Sequence, residues 1–467
     1  MSAAPDLAFA TVAELGTAIR SGAVSPTELA TFSLERLDSV GRSLNAVATL
    51  TPERAMAAAR RAEDELAAGV DRGPLHGIPY GAKDLLATID YPTSWGAAPF
   101  RDQQFARDAE VIRRLDEAGA VLAGKLSMVE IAGGFGYEQA NAAFNGPGIC
   151  AWGRDSWAGG SSSGSGSAVA AGCVPFAIGT ETWGSILCPS SFNGLAGLRP
   201  TYGLVSREGA MALSWTMDKI GPMGHTPGDC QAVLGAIAGN DDWALAERAP
   251  GPYRIAVLAG SAREAQPEVA TNFAAALDVL SDIGTLEEVA LASEMPWDAA
   301  ASVIVMAEAA SAFEEFIVSG ESQELTAPED RAGLHHALAL PAVDYLRALR
   351  IRRKAMRALD ETLTGFDAMV APTMPYVAIP LQDRFDTWFG RERGPSLGAA
   401  GNLCGVPSIT VMNGLGARGL PTGLEFMGRA GSERTLLELA ERYQSVTDWH
   451  TRHPELGAGQ KAMGKTQ

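Results

Sequence analysis

Cysteine is scarce in this chain: five in 467 residues, at Cys150, Cys173, Cys188, Cys230 and Cys404, with no C-x-x-C pair. A scattered, odd-numbered set argues against a disulfide framework and a zinc ribbon, and it fits a reducing compartment. Long apolar runs are missing as well. The longest, such as 168–178, are too short to span a bilayer. Residues 1–10 hold neither a basic stretch nor a sustained apolar one, so no signal or transit peptide is expected and the setting reads as cytoplasmic. Positive charge is also in short supply: 37 Lys and Arg against 55 Asp and Glu leave a formal charge of −18. Such a surface repels phosphate backbones and anionic lipid, which argues against nucleic acid and membrane as partners.

What the chain does hold is ordinary apolar content, 46% hydrophobic residues, and that rules out disorder. Its 52 glycines, without a G-x-y repeat, signal tight turns or close backbone approaches. Residues 10–70 read as helices. Thr11 and Glu14 form a capping box, Ser25 caps a second helix with Pro26 at its first position, and 52–68 is an Ala- and Arg-rich surface helix. From 73 to 245 short apolar runs alternate with Gly, Pro and Ser. The pattern predicts a helix through Val111, Ile112 and Leu115 that stops at Gly119, a strand at 120–123, a helix at 168–173, and strands at 174–178 and, just beyond this stretch, 253–258. Residues 265–365 read as helical insertions with a basic cluster at 347–357, 366–372 and 407–411 as strands, 435–443 as a last helix within a C-terminal core segment 366–445, and 457–467 as a frayed tail. Strand–helix alternation predicts an α/β layer fold.

Two segments imitate well-known motifs. Gly160-Ser-Ser-Ser-Gly164 satisfies G-x-S-x-G, which would make Ser162 a nucleophile. The residues before it, 154–158, do not read as a strand, and the histidines downstream (His225, His335, His336, His450, His453) have no distinctive setting. Gly119-Ala-Val-Leu-Ala-Gly-Lys-Leu126 misses the phosphate-binding P-loop at its last position, because Leu126 has no hydroxyl to offer a metal ion. The Gly/Ser run 159–167 has a linker's composition but abuts an apolar helix, so it reads as a tight loop feeding a helix N-terminus, suited to an anion or oxyanion.

Three further segments are ordinary when taken singly. Gly73-Pro-Leu-His-Gly-Ile-Pro-Tyr-Gly-Ala-Lys-Asp84 puts Lys83 at the end of an apolar stretch. Gly179-Thr-Glu-Thr-Trp-Gly-Ser-Ile-Leu-Cys-Pro189 puts Ser185 after a glycine turn, and Gly197–Val205 reads as turn and strand. Together with the Gly/Ser run they resemble the amidase signature family of serine hydrolases. Matching blocks also include Gly124-Lys-Leu-Ser-Met-Val-Glu130, Gly194–Gly203, Ala371-Pro-Thr-Met-Pro375, Asn402-Leu-Cys-Gly-Val-Pro407 and Gly419-Leu-Pro-Thr-Gly-Leu424, so the likeness runs over roughly residues 10–445. It implies one large α/β/α domain, 1–467, with a central mixed β-sheet flanked by helices, a helical segment 10–70 and a signature core 73–245.

The resemblance also implies a catalytic set of Lys83, Ser161 and Ser185: Ser185 as nucleophile, Ser161 as a bridging serine at a cis peptide bond, and Lys83 as base. Main-chain N–H groups of Thr182, Trp183, Gly184 and Ser185 would form the oxyanion hole. No metal and no organic cofactor is implied. The chemistry is coherent, since a buried lysine is neutral enough to accept a proton and a hydroxyl both donates and accepts. Three departures bear on substrate. Trp183 stands where many members have glycine and reads as a pocket wall. Leu187 stands where many members, including tRNA-linked amidotransferase subunits, have arginine, which disfavours the amidotransferase role. Leu126-Ser127 replaces the usual Thr-Asn. Gly159, Gly160, Met128, Trp152, Trp157, Trp388 and Phe389 complete the candidate pocket, with loops 144–157 and 383–393 as its walls. The expected substrate is a small neutral amide with an apolar or aryl part. The alternatives are an aryl carbamate (urethane) or ester on the same residues, a glutamine amidotransferase subunit, and a non-catalytic binding protein on this fold. A homodimer is compatible with all of them.

Overall fold

Glycine and proline cut the chain into short apolar runs, and these runs become strands of one sheet. In the computed structural model, which describes residues 6–245, 251–388 and 395–456, the strands are β1 (Val47–Leu50), β2 (Pro79–Lys83), β3 (Val121–Leu126), β4 (Ile149–Cys150), β5 (Gly153–Trp157), β6 (Phe176–Glu181), β7 (Ala196–Arg199), β8 (Lys219–Gly224), β9 (Tyr253–Leu258), β10 (Gly284–Val289), β11 (Ala368–Pro372), β12 (Ser408–Leu415) and β13 (Pro421–Met427). Eleven of them form a single sheet in the order β1-β3-β2-β6-β8-β7-β12-β13-β11-β9-β10, while β4 and β5 make a separate ribbon. The large sheet is mixed: β3, β2 and β6 run parallel, as do β11, β9 and β10, and β8, β7, β12 and β13 join the two groups by antiparallel pairs. Because strands from residue 47 to residue 427 share this sheet, the chain is one domain.

Helices cover the sheet on both sides, and several begin where the sequence says they should. Thr11 and Ser25 cap Val12–Arg20 and Pro26–Arg36 with complete capping boxes to Glu14 and Glu28. The helix Pro52–Ala67 packs an alanine face (Ala55, Ala58, Ala59, Ala62) inward. Within the core, Tyr80 on β2 stacks on Phe176 of β6 with ring centroids 5.3 Å apart. Among the described residues no helix is long and apolar enough to cross a membrane. All five cysteines are buried free thiols.

Four sequence expectations need correction. The helix placed at 168–173 is Ser163–Ala170, so the Gly/Ser run is itself helical, and the strand that follows lies at Phe176–Glu181. Small side chains let that helix approach other backbone, an effect that outweighs the low helix propensity of Gly and Ser. The helical stretch 265–365 contains β10, a polar edge strand held by its parallel register with β9. Likewise, the helical stretch 10–70 contains β1, paired with β3. Finally, 153–157 is a strand after all: β5 pairs with β4 and leaves Arg154 and Asp155 exposed, which hid the pattern. The tail 457–467 lies outside the described residues.

The closeness of the Ser163–Ala170 helix can be tested. A Cβ on Gly164 would sit 2.4 Å from Ala46 O and 2.5 Å from Ser127 N, both rigid backbone. Gly164→Ala is therefore expected to lower stability by roughly 1–3 kcal/mol through overpacking. Denaturant unfolding measures it, and a wild-type midpoint would mean that the helix moves away freely.

Candidate active site

Lys83 ends β2, and the parallel ladder to β3 and β6 fixes where its side chain goes. The residue is fully buried. Its Nζ donates to Ser161 Oγ at 2.7 Å, to Thr180 Oγ1 at 2.9 Å and to the Thr180 carbonyl at 3.4 Å. These partners are all neutral. Burial pushes the amine down to about 7, while Asp218 and Glu181 pull it the other way only through space. Lys125, on the neighbouring strand β3, provides the contrast: its Nζ lies 3.0 Å from Asp84 Oδ1 and donates to Thr93 Oγ1 at 2.7 Å. Thus adjacent strands each bury a lysine, one with a carboxylate and one with hydroxyls.

Ser161 follows a cis Gly160–Ser161 peptide bond. Its carbonyl accepts from Val129 N at 3.1 Å. Gly159 has φ of +80°, and a Cβ there would lie 2.8 Å from Pro189 Cα, so only glycine fits. At Gly160 a Cβ would press on Trp157 and Val129, each at 2.8 Å. The loop can therefore come down onto its neighbours.

Ser185 sits in the turn between β6 and the helix Leu187–Phe192, behind Gly184, whose φ is +87°. The backbone N–H groups of Trp183, Gly184 and Ser185 have no acceptor among the described residues. The Ser185 carbonyl accepts from Ser162 N at 3.3 Å, which ties this turn to the Ser161 loop.

A buried charge network holds the turn from below. Glu181 Oε2 accepts from Ile186 N at 2.8 Å and from Leu187 N at 3.0 Å. Its Oε1 accepts from Arg199 NH1 and from Asn402 Nδ2, both at 2.9 Å. Lys219 Nζ donates to Asn402 Oδ1 at 2.7 Å, and Arg199 also donates to Ser408 Oγ at 2.7 Å and to the Val406 carbonyl at 3.2 Å. Burial alone would raise the Glu181 carboxyl, but Arg199, Lys219 and the two backbone N–H groups hold it at about 2.

Beside the turn lies a cavity of about 450 Å³ bordered by Gly160, Trp183, Gly184 and Leu187. Its walls mix aromatic and proline side chains, Trp157, Tyr376 and Trp388 among them, with polar ones such as Thr373, Ser396 and Glu425. Trp388 is anchored by Nε1 donating to Asp383 Oδ2 at 2.9 Å and packs edge-on to Tyr376 at 5.8 Å.

The structure thus brings Lys83 and Ser161 into contact, with the Ser185 turn tied to the Ser161 loop, and it lines the cavity with Gly160, Trp157, Trp183 and Trp388. Met128, Trp152 and Gly159 are not in that lining. Met128 is packed in the core, Trp152 is turned away with its Nε1 donating to the Asn193 carbonyl at 2.9 Å, and Gly159 is pressed against Pro189. Phe389 lies outside the described residues. Ser162, the G-x-S-x-G candidate, is fully buried, with Oγ donating to the Thr180 carbonyl and accepting from Thr180 N, both at 3.2 Å. Sequence reasoning passed over Thr180, Glu181, Arg199 and Asn402, all within the matching blocks. Polar residues among glycines and apolar neighbours were the available signal.

Comparison with known proteins bears on the family and the fold. A family model described as Amidase matches residues 28–437. Among curated relatives, a glutamyl-tRNA(Gln) amidotransferase subunit of Chloroflexus aggregans is 35% identical over 490 residues, covering 97% of this chain and 99% of that protein. Among solved structures, the native peptide amidase from Stenotrophomonas maltophilia is 31% identical with a TM-score of 0.83, covering 94% of this chain and 97% of that one. The corresponding glutamyl-tRNA(Gln) amidotransferase subunit of Thermotoga maritima is 25% identical with a TM-score of 0.73, covering 95% and 96%.

The Glu181 network yields its own prediction. Glu181→Gln keeps the size but leaves Arg199 buried without its counter-charge, so stability is expected to fall by roughly 3–5 kcal/mol in denaturant unfolding. The folded carboxyl titrates below its unfolded range. Its contribution is therefore complete above the unfolded value and disappears as pH drops through about 2. The Gln variant should show a flatter acid limb, and an unchanged limb would contradict the network's role.

Proposed function

The chain belongs to the amidase family, and we propose that it cleaves the C–N bond of a small amide by acyl transfer to Ser185. The observation that carries this reading is the 2.7 Å contact between the Lys83 amine and Ser161 Oγ, in a site where no carboxylate pairs with the lysine. An amine pushed down to about 7 is partly neutral near physiological pH and can take up a proton. Ser161 relays that proton from Ser185, whose Oγ attacks the amide carbon. The oxyanion that forms is stabilised by the N–H groups of Trp183, Gly184 and Ser185, which lack another acceptor. Proton return to the nitrogen expels the amine and leaves an acyl-enzyme on Ser185. In the hydrolytic reading, water activated through the same relay releases the acid. The aromatic rings in the wall of the cavity beside Gly160 and Gly184 favour an amide with an apolar or aryl body. Aryl carbamates and esters would follow the same course.

The curated relatives favour a second reading, an amidotransferase subunit. The identity to the Chloroflexus protein exceeds that to the peptide amidase, and on names of relatives this reading has the stronger support. Leu187 and the higher TM-score to the peptide amidase support the free hydrolase. The two share every step up to the acyl-enzyme. Co-purification of partner chains together with glutamine-dependent amidation of Glu-tRNA(Gln) would establish the second. Turnover of simple amides by the chain alone would establish the first.

Four outcomes are expected. With a neutral aryl amide, kcat/KM should rise with pH through about 7 and then level as Lys83 loses its proton. Lys83→Met should remove that limb and lower the rate by roughly 10²–10⁴-fold. Ser185→Ala should lower it by at least about 10³-fold and abolish labelling by a fluorophosphonate, whereas labelling retained at Ser162 would point to a different nucleophile. Trp388→Ala should change the ratio of rates on short and aryl amides, and an unchanged ratio would remove Trp388 from the pocket's selectivity.

A further inference from the structure

The floor of the cavity holds a carboxyl that no step above uses. Glu425 lies on β13, where its backbone is paired with Thr410 of β12 and Ala371 of β11, so the strand itself cannot move aside. The side chain is 2% exposed, it borders the cavity, and its Oε1 has no hydrogen-bond partner. Leaving one oxygen of a buried carboxyl without a partner is costly, and such an atom persists most readily where something else completes it.

The surroundings indicate what would do so. Among the described lining residues the one cationic side chain is Arg199, and it is already engaged by Glu181, Ser408 and the Val406 carbonyl. Besides Glu425 and the paired Glu181, a third lining carboxyl, Glu264, is exposed. The rest of the wall presents Trp157, Trp183, Tyr376 and Trp388, whose ring faces attract cations. An acidic group in the floor, aromatic walls and a cationic residue already occupied together describe a receptor for a positively charged amine.

We propose that the cavity is a subsite for a cationic amino group, with Glu425 accepting from its N–H donors, so that the preferred amides carry an amine remote from the scissile carbonyl. This rests on the reading of Ser185 as nucleophile only for its effect on turnover; the binding itself is independent of it. Burial pushes the free carboxyl up to about 7, against the pull of Arg199 and a Ser408 hydroxyl. An ammonium at this position supplies the missing counter-charge and returns the group to its ionised form.

Benzamide and 4-(aminomethyl)benzamide form one matched pair, acetanilide and 4′-(aminomethyl)acetanilide another, with the amine on the acyl and leaving sides respectively. Binding to the Ser185→Ala protein, read by calorimetry, should favour the aminated member of at least one pair by about tenfold or more, the scale of one charge-assisted hydrogen bond. In the active enzyme the same preference should appear mainly in KM. Glu425→Gln, which keeps shape and an acceptor but not charge, should bring the ratio to near one in both readouts. Equal affinity for both members of both pairs would overturn the proposal without any Glu425 variant, and so would a preference that survives Glu425→Gln. Selective binding without turnover would leave the subsite standing and count instead against Ser185 catalysis.

Discussion

A lysine without a carboxylate is the constraint around which this molecule is arranged. A charged ammonium in the interior needs a counter-ion, and the fold shows that it can provide one: Lys125, on the next strand, has Asp84 at 3.0 Å. Lys83 instead has Ser161 and Thr180. Hydroxyls satisfy an amine's hydrogen bonds without favouring its charge, so burial acts unopposed at short range and the proton is loosely held. Everything that delivers Lys83 to this place, the parallel β3-β2-β6 ladder and the glycines that let the Ser161 loop come down on it, serves that one electrostatic difference.

The second half of the arrangement is a matter of donors. A turn whose N–H groups at Trp183, Gly184 and Ser185 have no acceptor among the described residues is not held together by them. Here the task passes to Glu181, which binds the next two N–H groups along the chain and is itself anchored by Arg199 and Asn402. Arg199 on β7 pairs with Glu181 directly, and Lys219 on β8 reaches it through Asn402. The polar framework therefore lies below the turn, and the cavity side remains aromatic.

Much of this was legible in the sequence, and the exceptions share a cause. Capping boxes at Thr11 and Ser25 are local, so they read directly. Lys83, Ser161 and Ser185 stand out in the sequence because the glycine-rich blocks around them are unusual, and the fold puts the first two in contact and ties the Ser185 turn to the Ser161 loop. What could not be read is whatever depends on a distant partner. β10 is a strand only because β9 lies next to it, and β5 only because β4 does. Trp152 and Trp157 are five residues apart with similar neighbours, yet one is turned to Asn193 and the other to the cavity. Glu425 looks like any strand residue until the floor of the cavity is seen around it. Aromatic content near a motif marks a region, and packing decides which ring faces the ligand.

The order in which the parts of the turn arrive along the chain has a consequence for synthesis. Lys83, Ser161 and Ser185 all leave the ribosome before residue 186, but Asn402, the Val406 carbonyl and Ser408, which lock Glu181 and Arg199, are made more than two hundred residues later. β7 likewise waits for β12 to become an interior strand. A nascent chain therefore carries Lys83, Ser161 and Ser185 through more than two hundred residues of elongation without these partners. The packing around the Ser185 turn is completed only when almost the whole polypeptide is in hand.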